Sequence, residues 1–91
     1  MFLFLIYTLN KIMPVQPKIK SGIYEHYKGG KYRVHFIATH SETLEIFVVY
    51  EALYDCRTFG KGSIWVRPLE MFQENITSID GNKIPRFRFL E

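Results

Sequence analysis

The fold is decided by residues 22–38, which read GIYEHYKGGKYRVHFIA. Runs rich in β-branched and aromatic residues lie on both sides of Gly29 and Gly30, and such residues favour strands. Two adjacent glycines can adopt the positive φ values of a two-residue turn, so the pattern predicts a β-hairpin. A turn of two residues sets the cross-strand pairs as Tyr27 with Tyr32, Glu25 with Val34, and Ile23 with Phe36.

This register also predicts which side chains share a face, because side chains alternate along a strand. The core-facing residues are expected to be Tyr32, Val34, Phe36 and Ala38. The opposite face is expected to carry Tyr24, His26, Arg33 and His35.

Residues 44–54 read LEIFVVYEALY and form the longest predicted strand. Every even position in this run is apolar, and the odd positions mix two glutamates with Phe47, Val49 and Leu53. A strand that is apolar on one face and half-apolar on the other is central or curved, and curvature favours a barrel. A helix is the alternative, but the β-branched and aromatic run at the centre argues against it.

The rest of the chain alternates short strands with turns. Residues 55–62 are predicted to form a loop and residues 63–67 a strand, and Pro68 is expected to start a short helix that ends at Phe72. A second hairpin is predicted from residues 75–79 and 83–90, around a turn at residues 80–82. In its last strand, Phe87 and Phe89 are expected to share one face, and Arg86 and Arg88 are expected to share the other.

Together these elements predict an all-β domain, a small antiparallel SH3-like barrel with one short helical turn. An OB-like barrel is the alternative, because the hairpins follow one another with only one short helix between them. The domain is expected to span residues 18–91, and residues 1–17 are expected to form an N-terminal extension.

The extension begins with the apolar run MFLFLIYTL at residues 1–9. The run is too short for a membrane-spanning helix, which needs about 20 residues, and it lacks the charged start and the cleavage site of a secretory signal. Three interpretations remain: a docking segment, an aggregation-prone tail, or an extension that precedes the true start of translation. We favour the last, with Met13 as the native start, because an exposed apolar run is a liability on a soluble domain.

The composition excludes several classes of protein. Fifteen of the 91 residues are aromatic, which excludes a disordered tail, and the single cysteine, Cys56, excludes an internal disulfide. The formal net charge is +3, but residues 25–91 carry nine basic and nine acidic side chains. This balance gives no support to sequence-independent nucleic-acid binding, which needs clustered cations.

Five blocks of sequence follow one another in a specific order: GIYEHYKGG at 22–30, HSETLE at 40–45, VYEALY at 49–54, WVRPLEMF at 65–72 and PRF at 85–87. Together they resemble the bacterial family catalogued as domain of unknown function 1653. The resemblance covers about residues 22–89 and implies a compact SH3-like β domain in a bacterial cytoplasm, alone or fused to other domains. It implies no activity. The chain departs from the family pattern at residues 1–12 and in the loop at 56–61, which is longer than the usual connection.

The candidates for metal or catalytic chemistry are weak. His26 and His35 are predicted to share one face of the hairpin, but zinc needs three or four ligands and Arg33 would repel a cation. Cys56 has no histidine near it in sequence to act as its base. The HSET turn at residues 40–43 has the residue types of a catalytic triad, but neighbours on a turn do not converge on one point. We expect these side chains to hydrogen-bond the local backbone, and we predict no metal, no cofactor and no catalytic residue.

Binding of a partner is the favoured class of function, because small β-barrels bind ligands through aromatic-lined grooves. The candidate ligand-binding residues are Tyr27, Lys28, His40, Glu42, Tyr50, Trp65 and Arg67. The structural alternative is that Tyr27, Tyr50 and Trp65 are core or cross-strand partners. If Arg67 is buried, it is expected to need a carboxylate partner such as Glu45 or Glu70.

The leading hypothesis is therefore a non-catalytic interaction module that binds a peptide, a protein or a small anionic ligand. Single-stranded nucleic acid is one alternative, because bases stack on aromatic rings beside arginines. A small enzyme that uses His40 and Glu42 is the other.

Overall fold

Nine strands and one short helix make up residues 19–91, the part of the chain that the computed structural model describes. The elements are β1 (Gly22–His26), β2 (Lys31–Thr39), β3 (Ile46–Ala52), β4 (Asp55–Cys56), β5 (Gly60–Lys61), β6 (Ile64–Pro68), α1 (Leu69–Phe72), β7 (Asn75–Thr77), β8 (Lys83–Pro85) and β9 (Phe87–Phe89). The N-terminal extension predicted at residues 1–17 lies outside the described residues.

Five of the strands form one antiparallel sheet in the order β6-β3-β2-β1-β9. Two small antiparallel ladders, β4 with β5 and β7 with β8, stand beside it. The predicted all-β class with antiparallel pairing is confirmed. Within residues 19–91, β6 and β9 do not pair with each other, so the sheet is open and the type of barrel stays a prediction.

The first hairpin forms, but its register differs from the predicted one by three residues. Tyr24 lies opposite Tyr32 and Glu25 opposite Lys31, so the predicted pairs Tyr27–Tyr32, Glu25–Val34 and Ile23–Phe36 are wrong. The physical reason is the turn, which spans the four residues between His26 and Lys31 instead of two. The backbone N–H of Gly29 donates to the carbonyl of His26, and the N–H of His26 donates to the carbonyl of Gly30, both at 2.7 Å.

The two glycines of this turn serve different purposes. Gly29 has a φ of 105°, a conformation that glycine adopts without strain. Gly30 does not have a positive φ, but a Cβ at this position would lie 3.0 Å from the ring of Tyr54. The absence of a side chain at Gly30 therefore lets the tyrosine ring approach the backbone.

A β-bulge at His35 reverses the faces of the second half of β2, because it inserts one unpaired residue into the strand. Val34 lies opposite Tyr50 before the bulge, and Ile37 lies opposite Val48 after it. As a result Phe36 is 60% exposed and Ala38 is also exposed, so the prediction that these two face the core is wrong.

The face assigned to β1 is also corrected. Strand β1 lies between β2 and β9, with Tyr24 opposite Phe89 and His26 opposite Phe87. Residues directly opposite each other in an antiparallel pair share a face, so Tyr24 and His26 lie on the core side of the sheet. We call this side the inner face.

The central strand β3 carries the predicted alternation. Val48, Tyr50 and Ala52 are buried on the inner face, as their even positions indicate. The strand is shorter than the predicted one, because Leu44 has a φ of 63° in the connector before it. Leu53 and Tyr54 follow the strand instead of belonging to it.

The core forms where α1 packs on the inner face. As predicted, α1 follows Pro68 and ends at Phe72. Leu69 and Phe72 are buried against Tyr24, Tyr50 and Phe87, and the rings of Phe72 and Phe87 stack with their centroids 4.1 Å apart. The helix has four residues and covers only part of the inner face.

The remaining connections are close to the prediction. The second hairpin forms from β7 and β8, but the strand predicted at residues 83–90 breaks at Arg86, so that β9 joins the main sheet beside β1. The loop predicted at residues 55–62 contains the β4–β5 ladder. Within residues 19–91, no helix is long and apolar enough to cross a membrane.

We expect Phe72→Ala to lower the free energy of unfolding by about 3–5 kcal/mol, because it removes a buried ring and leaves a cavity. The ring of Phe72 is 2% exposed. Phe36→Ala is the matched control, with an expected change within about 0.5 kcal/mol, since the Phe36 ring is largely in solvent. Urea denaturation followed by far-UV circular dichroism measures both values. A loss for Phe36→Ala as large as that for Phe72→Ala would contradict the assignment of Phe36 to the solvent-exposed face.

Candidate ligand-binding groove

An open groove of about 660 Å³ lies on the inner face, beside the four-residue turn between β1 and β2. It occupies the part of the inner face that α1 leaves uncovered. Its lining is mostly aromatic and basic: His26, Tyr27, Lys28, Gly30, Tyr32, Tyr50, Tyr54, Cys56, Trp65, Arg67 and Arg86. We refer to these residues as the aromatic groove.

Most of the predicted binding residues meet in the aromatic groove. Those that line it are Tyr27, Lys28, Tyr50, Trp65 and Arg67. His40 and Glu42 do not line it, because they follow the opposite end of β2, about 27 Å away along the strand. The structure therefore does not bring these two residues together with the other five.

The side chain of His40 has a local role in the turn that contains it. Its Nδ1 accepts hydrogen bonds from the backbone N–H groups of Glu42 and Thr43, each at 3.2 Å. The hydroxyl of Thr43 accepts a hydrogen bond from the N–H of Glu45, also at 3.2 Å. The prediction that this turn satisfies its own backbone is confirmed.

Six further residues line the groove and are not among the predicted binding residues: His26, Gly30, Tyr32, Tyr54, Cys56 and Arg86. The wrong hairpin register placed His26 on the outer face and treated Tyr32 as core alone. Arg86 was paired with Arg88 because the strand was expected to be continuous through both. Tyr54 is the last residue of the VYEALY block. Its position directly after a buried strand is the sequence feature that could have placed it in the site.

Tyr50 joins the core to the groove. Its ring is buried and meets the rings of Phe72 and Phe87 edge to face, each at 5.6 Å between centroids. Its hydroxyl accepts a hydrogen bond from Nε of Arg67 at 3.2 Å. The alternative that Tyr50 is a core residue is therefore confirmed for its ring, and its hydroxyl end lines the groove.

Arg67 does not have the carboxylate partner that was expected. Within residues 19–91 the salt bridges join His35 with Glu51, Arg86 with Glu74 and Arg88 with Glu25, so neither Glu45 nor Glu70 pairs with Arg67. Instead, the guanidinium lies 5.5 Å from the centroid of the Phe87 ring, whose π face attracts a cation. The aromatic ring and the Tyr50 hydroxyl hold Arg67 without neutralising it.

Among the described residues, 19–91, the lining of the groove contains no aspartate and no glutamate. Arg86 donates from Nη2 to Glu74 at 2.6 Å, but Glu74 lies outside the groove, and the buried Nε of Arg86 has no hydrogen-bond partner among residues 19–91. The Lys28 ammonium lies 5.8 Å from the centroid of the Tyr27 ring. Three cationic side chains therefore share one groove with no acid among its lining residues.

His26 responds to this positive surrounding. Its pKa is lowered from the ordinary value of 6.5, first by desolvation and then by the charges of Arg67, Arg86 and Lys28. Its Nδ1 accepts a hydrogen bond from the backbone N–H of Lys28 at 3.1 Å. The neutral imidazole therefore carries its proton on Nε2 and is a hydrogen-bond donor at that atom.

Two tyrosine hydroxyls add to the polar lining. The hydroxyls of Tyr32 and Tyr54 are 2.6 Å apart and share a hydrogen bond. Burial and this hydrogen bond raise the pKa of Tyr32 above its ordinary value, so the phenol stays protonated at neutral pH.

The candidates for metal and nucleophilic chemistry do not converge. His26 lies on the inner face, whereas His35 bonds Glu51 at 2.8 Å, and Glu51 shares the outer face with Arg33. The prediction that the two histidines share a face is therefore wrong. No group of three or more histidine, cysteine or acidic side chains suited to a metal ion occurs between residues 19 and 91. Cys56 lines the groove with His26, but no hydrogen bond joins the two.

Comparison with known proteins supports the fold. Residues 22–89 match the model of a family described as "Protein of unknown function (DUF1653)". A crystal structure of a DUF1653 protein from Bordetella bronchiseptica is similar, with 32% sequence identity and a TM-score of 0.70, over 80% of this chain and 88% of that one. No curated protein matches the chain significantly. Neither description names a ligand, a substrate or a partner.

We expect His26 to titrate below 6.5, and its pKa to rise toward that value in Arg67→Gln, because the substitution removes one of the charges that disfavour the imidazolium. Arg88→Gln is the matched control, since Arg88 pairs with Glu25 and does not affect the pKa of His26. Imidazole chemical shifts followed by NMR from pH 4.5 to 8 measure both changes. A wild-type pKa at or above 6.5 would contradict the assigned surroundings of His26.

The same shift makes stability depend on pH. Between the lowered pKa of folded His26 and the ordinary value of 6.5, the unfolded chain binds more protons than the folded one. His26 therefore makes the free energy of unfolding fall as the pH drops through this window. His26→Gln should remove that part of the pH dependence in urea denaturation at pH 5 to 7, and an unchanged slope would contradict the assignment.

Proposed function

The chain belongs to the DUF1653 family, and from that premise we propose that it is a non-catalytic binding module that holds a small anionic ligand in the aromatic groove. The observation that carries the proposal is Arg67. Its guanidinium is oriented in the groove by the Tyr50 hydroxyl and the Phe87 ring, and it has no carboxylate partner among residues 19–91.

The charge of the groove favours an anion over a cation or a neutral ligand. A half-buried arginine normally pairs with an acid, because an uncompensated charge away from water costs free energy. Here Arg67 is joined by Lys28 and by Arg86, whose charge is shared with Glu74 outside the groove, and none of the described lining residues is acidic. An anionic ligand would supply the missing negative charge, and charge-assisted hydrogen bonds to arginine are among the stronger ones.

The shape of the groove favours a small ligand over an extended partner. Its volume of about 660 Å³ lies within the range of roughly 300–1,000 Å³ that is typical of small-molecule sites. Residues 25–91 carry equal numbers of acidic and basic side chains, so the domain offers no general attraction to a polyanion. These two properties support a small anion over a single strand of nucleic acid or a peptide.

The same geometry gives little support to an enzyme built on His40 and Glu42. His40 Nδ1 is occupied by two backbone N–H groups, and both residues lie outside the groove. A structural role for His40 in the turn accounts for its contacts. The proposal places this binding module in a bacterial cytoplasm.

We expect inorganic phosphate, citrate or benzoate to shift backbone amide resonances of the groove, at residues such as Lys28, Gly30 and Arg67. The affinity for the anion that binds should fall about tenfold or more in Arg67→Gln, as expected for the loss of hydrogen bonds to a charged group. The measurement is an amide NMR titration at constant ionic strength and pH 7.5.

Arg88→Gln is the matched control, because Arg88 is an exposed arginine that pairs with Glu25 outside the groove. Urea denaturation of both variants separates a loss of binding from a loss of fold. If no anion shifts the groove residues, or if Arg88→Gln weakens binding as much as Arg67→Gln, the groove is not the anion site.

A further inference from the structure

The aromatic groove presents hydrogen-bond donors in excess of acceptors. Among residues 19–91, Arg86 bonds Glu74 through Nη2, and the side-chain hydrogen bond of Arg67 uses Nε and leaves both terminal nitrogens to donate. The Tyr50 hydroxyl accepts from Arg67, which leaves its own proton to donate. Neutral His26 donates from Nε2, as its bond from the Lys28 N–H requires.

This inventory fits a phosphate monoester better than a carboxylate. A phosphate monoester carries a charge of about −1.5 to −2 at neutral pH and three strong acceptor oxygens. A carboxylate brings one charge and two oxygens. Among residues 19–91, Lys28 and Arg67 have no acid partner and Arg86 shares its charge with Glu74. The ligand group with more charge and more acceptor oxygens therefore satisfies more of these side chains and of the neutral donors beside them.

The aromatic wall of the groove indicates a second property of the ligand, which is an apolar planar surface. Tyr27 is 43% exposed and Tyr54 is 39% exposed, although both are large aromatic residues that line the groove. Trp65 lines it as well, half-buried, with its indole N–H already bound to Ser63. Exposed ring surface beside bound phosphate is suited to stacking against a heteroaromatic ring.

Resting on the proposed function, we infer that the ligand is a phosphate monoester of a planar heteroaromatic compound, the simplest being a mononucleotide. The phosphate lies against Arg67, Arg86 and Lys28, and the ring lies against the exposed tyrosines. Two of the other basic side chains do not extend the positive charge of the groove. Arg88 pairs with Glu25, and Arg33 is on the outer face.

The test compares AMP with its parts, using the full chain at pH 7.5 and constant ionic strength. The probes are AMP, adenosine, ribose 5-phosphate and inorganic phosphate, followed by amide NMR titration. We expect AMP to bind at least about fivefold more tightly than ribose 5-phosphate, the smaller effect expected for one stacked base. Adenosine should bind at least about tenfold more weakly than AMP, because it lacks the phosphate.

Two variants separate the ring contact from the phosphate contact. Tyr54→Leu should weaken AMP binding about fivefold and leave ribose 5-phosphate unchanged, whereas Arg67→Gln should weaken both ligands. Because the Tyr54 hydroxyl also bonds Tyr32, Tyr54→Phe is the control that removes the hydroxyl and keeps the ring. It should bind AMP within about twofold of the wild type if stacking is the main contribution.

The outcomes distinguish this inference from the function on which it rests. Equal affinities for AMP, ribose 5-phosphate and inorganic phosphate would overturn the heteroaromatic ligand and leave an anion-binding module. Equal affinities for adenosine and AMP would show that the phosphate group does not contribute to binding, and would overturn the assignment of a phosphate monoester. Binding of citrate alone would favour a carboxylate, and no binding of any anion would remove the proposed function as well. A ten-nucleotide single strand that binds a hundredfold more tightly than AMP, with a steep loss in salt, would replace the mononucleotide with a nucleic acid.

Discussion

The contact between Tyr50 and Arg67 links the interior of this domain to its candidate binding surface. The ring of Tyr50 is packed among Phe72, Phe87 and Tyr32, so its orientation is set by the core. Its hydroxyl then fixes Nε of Arg67, and the Phe87 ring lies beside the same guanidinium. A cation that would otherwise be free to move is thus oriented by side chains whose own positions are set by burial. An arginine held in this way loses little conformational entropy when it binds an anion, which favours affinity.

The groove exists because the helix is short. The four residues of α1 bring Leu69 and Phe72 onto the inner face and bury the centre of the sheet. Beyond them, the inner face continues with Tyr32, Tyr50 and Trp65 toward the turn that carries Tyr27 and Lys28. One continuous aromatic layer therefore changes from core to candidate binding surface without a change of strand. The tyrosines of this layer bury their rings and keep a polar hydroxyl at the tip, as suits an amphipathic side chain.

The sequence predicted the elements better than it predicted their register. The alternation from Ile46 to Ala52 and the stop at Pro68 were readable because burial on one face and the missing N–H of proline are local properties. The four-residue turn and the bulge at His35 were not readable, because GG between two strands is equally typical of a two-residue turn, and a bulge leaves the pattern apolar on either side. Both errors moved side chains to the wrong face, as expected when register slips by an odd number of residues.

The hairpin error also affects which residues of the candidate site could be predicted. Tyr50 and Trp65 are predicted as amphipathic aromatic residues and Arg67 as an arginine at a strand end, and all three line the groove. His26 is missed because the hairpin register is wrong, and His40 lies outside the groove.

The most direct test of this account observes the side chain of Arg67 itself. In ¹H–¹⁵N spectra of the arginine side chains at pH 6.5, we expect a resolved Nε–H signal for Arg67, slowed in its exchange with water and assigned by its absence in Arg67→Gln. In Tyr50→Phe, which keeps the buried ring and removes the hydroxyl, the exchange of this signal should accelerate about tenfold or more while the backbone amide spectrum stays that of the folded domain. An Arg67 Nε–H that exchanges as fast as that of exposed Arg88 in the wild type, or that does not respond to Tyr50→Phe, would contradict the claim that the core orients the cation of the groove.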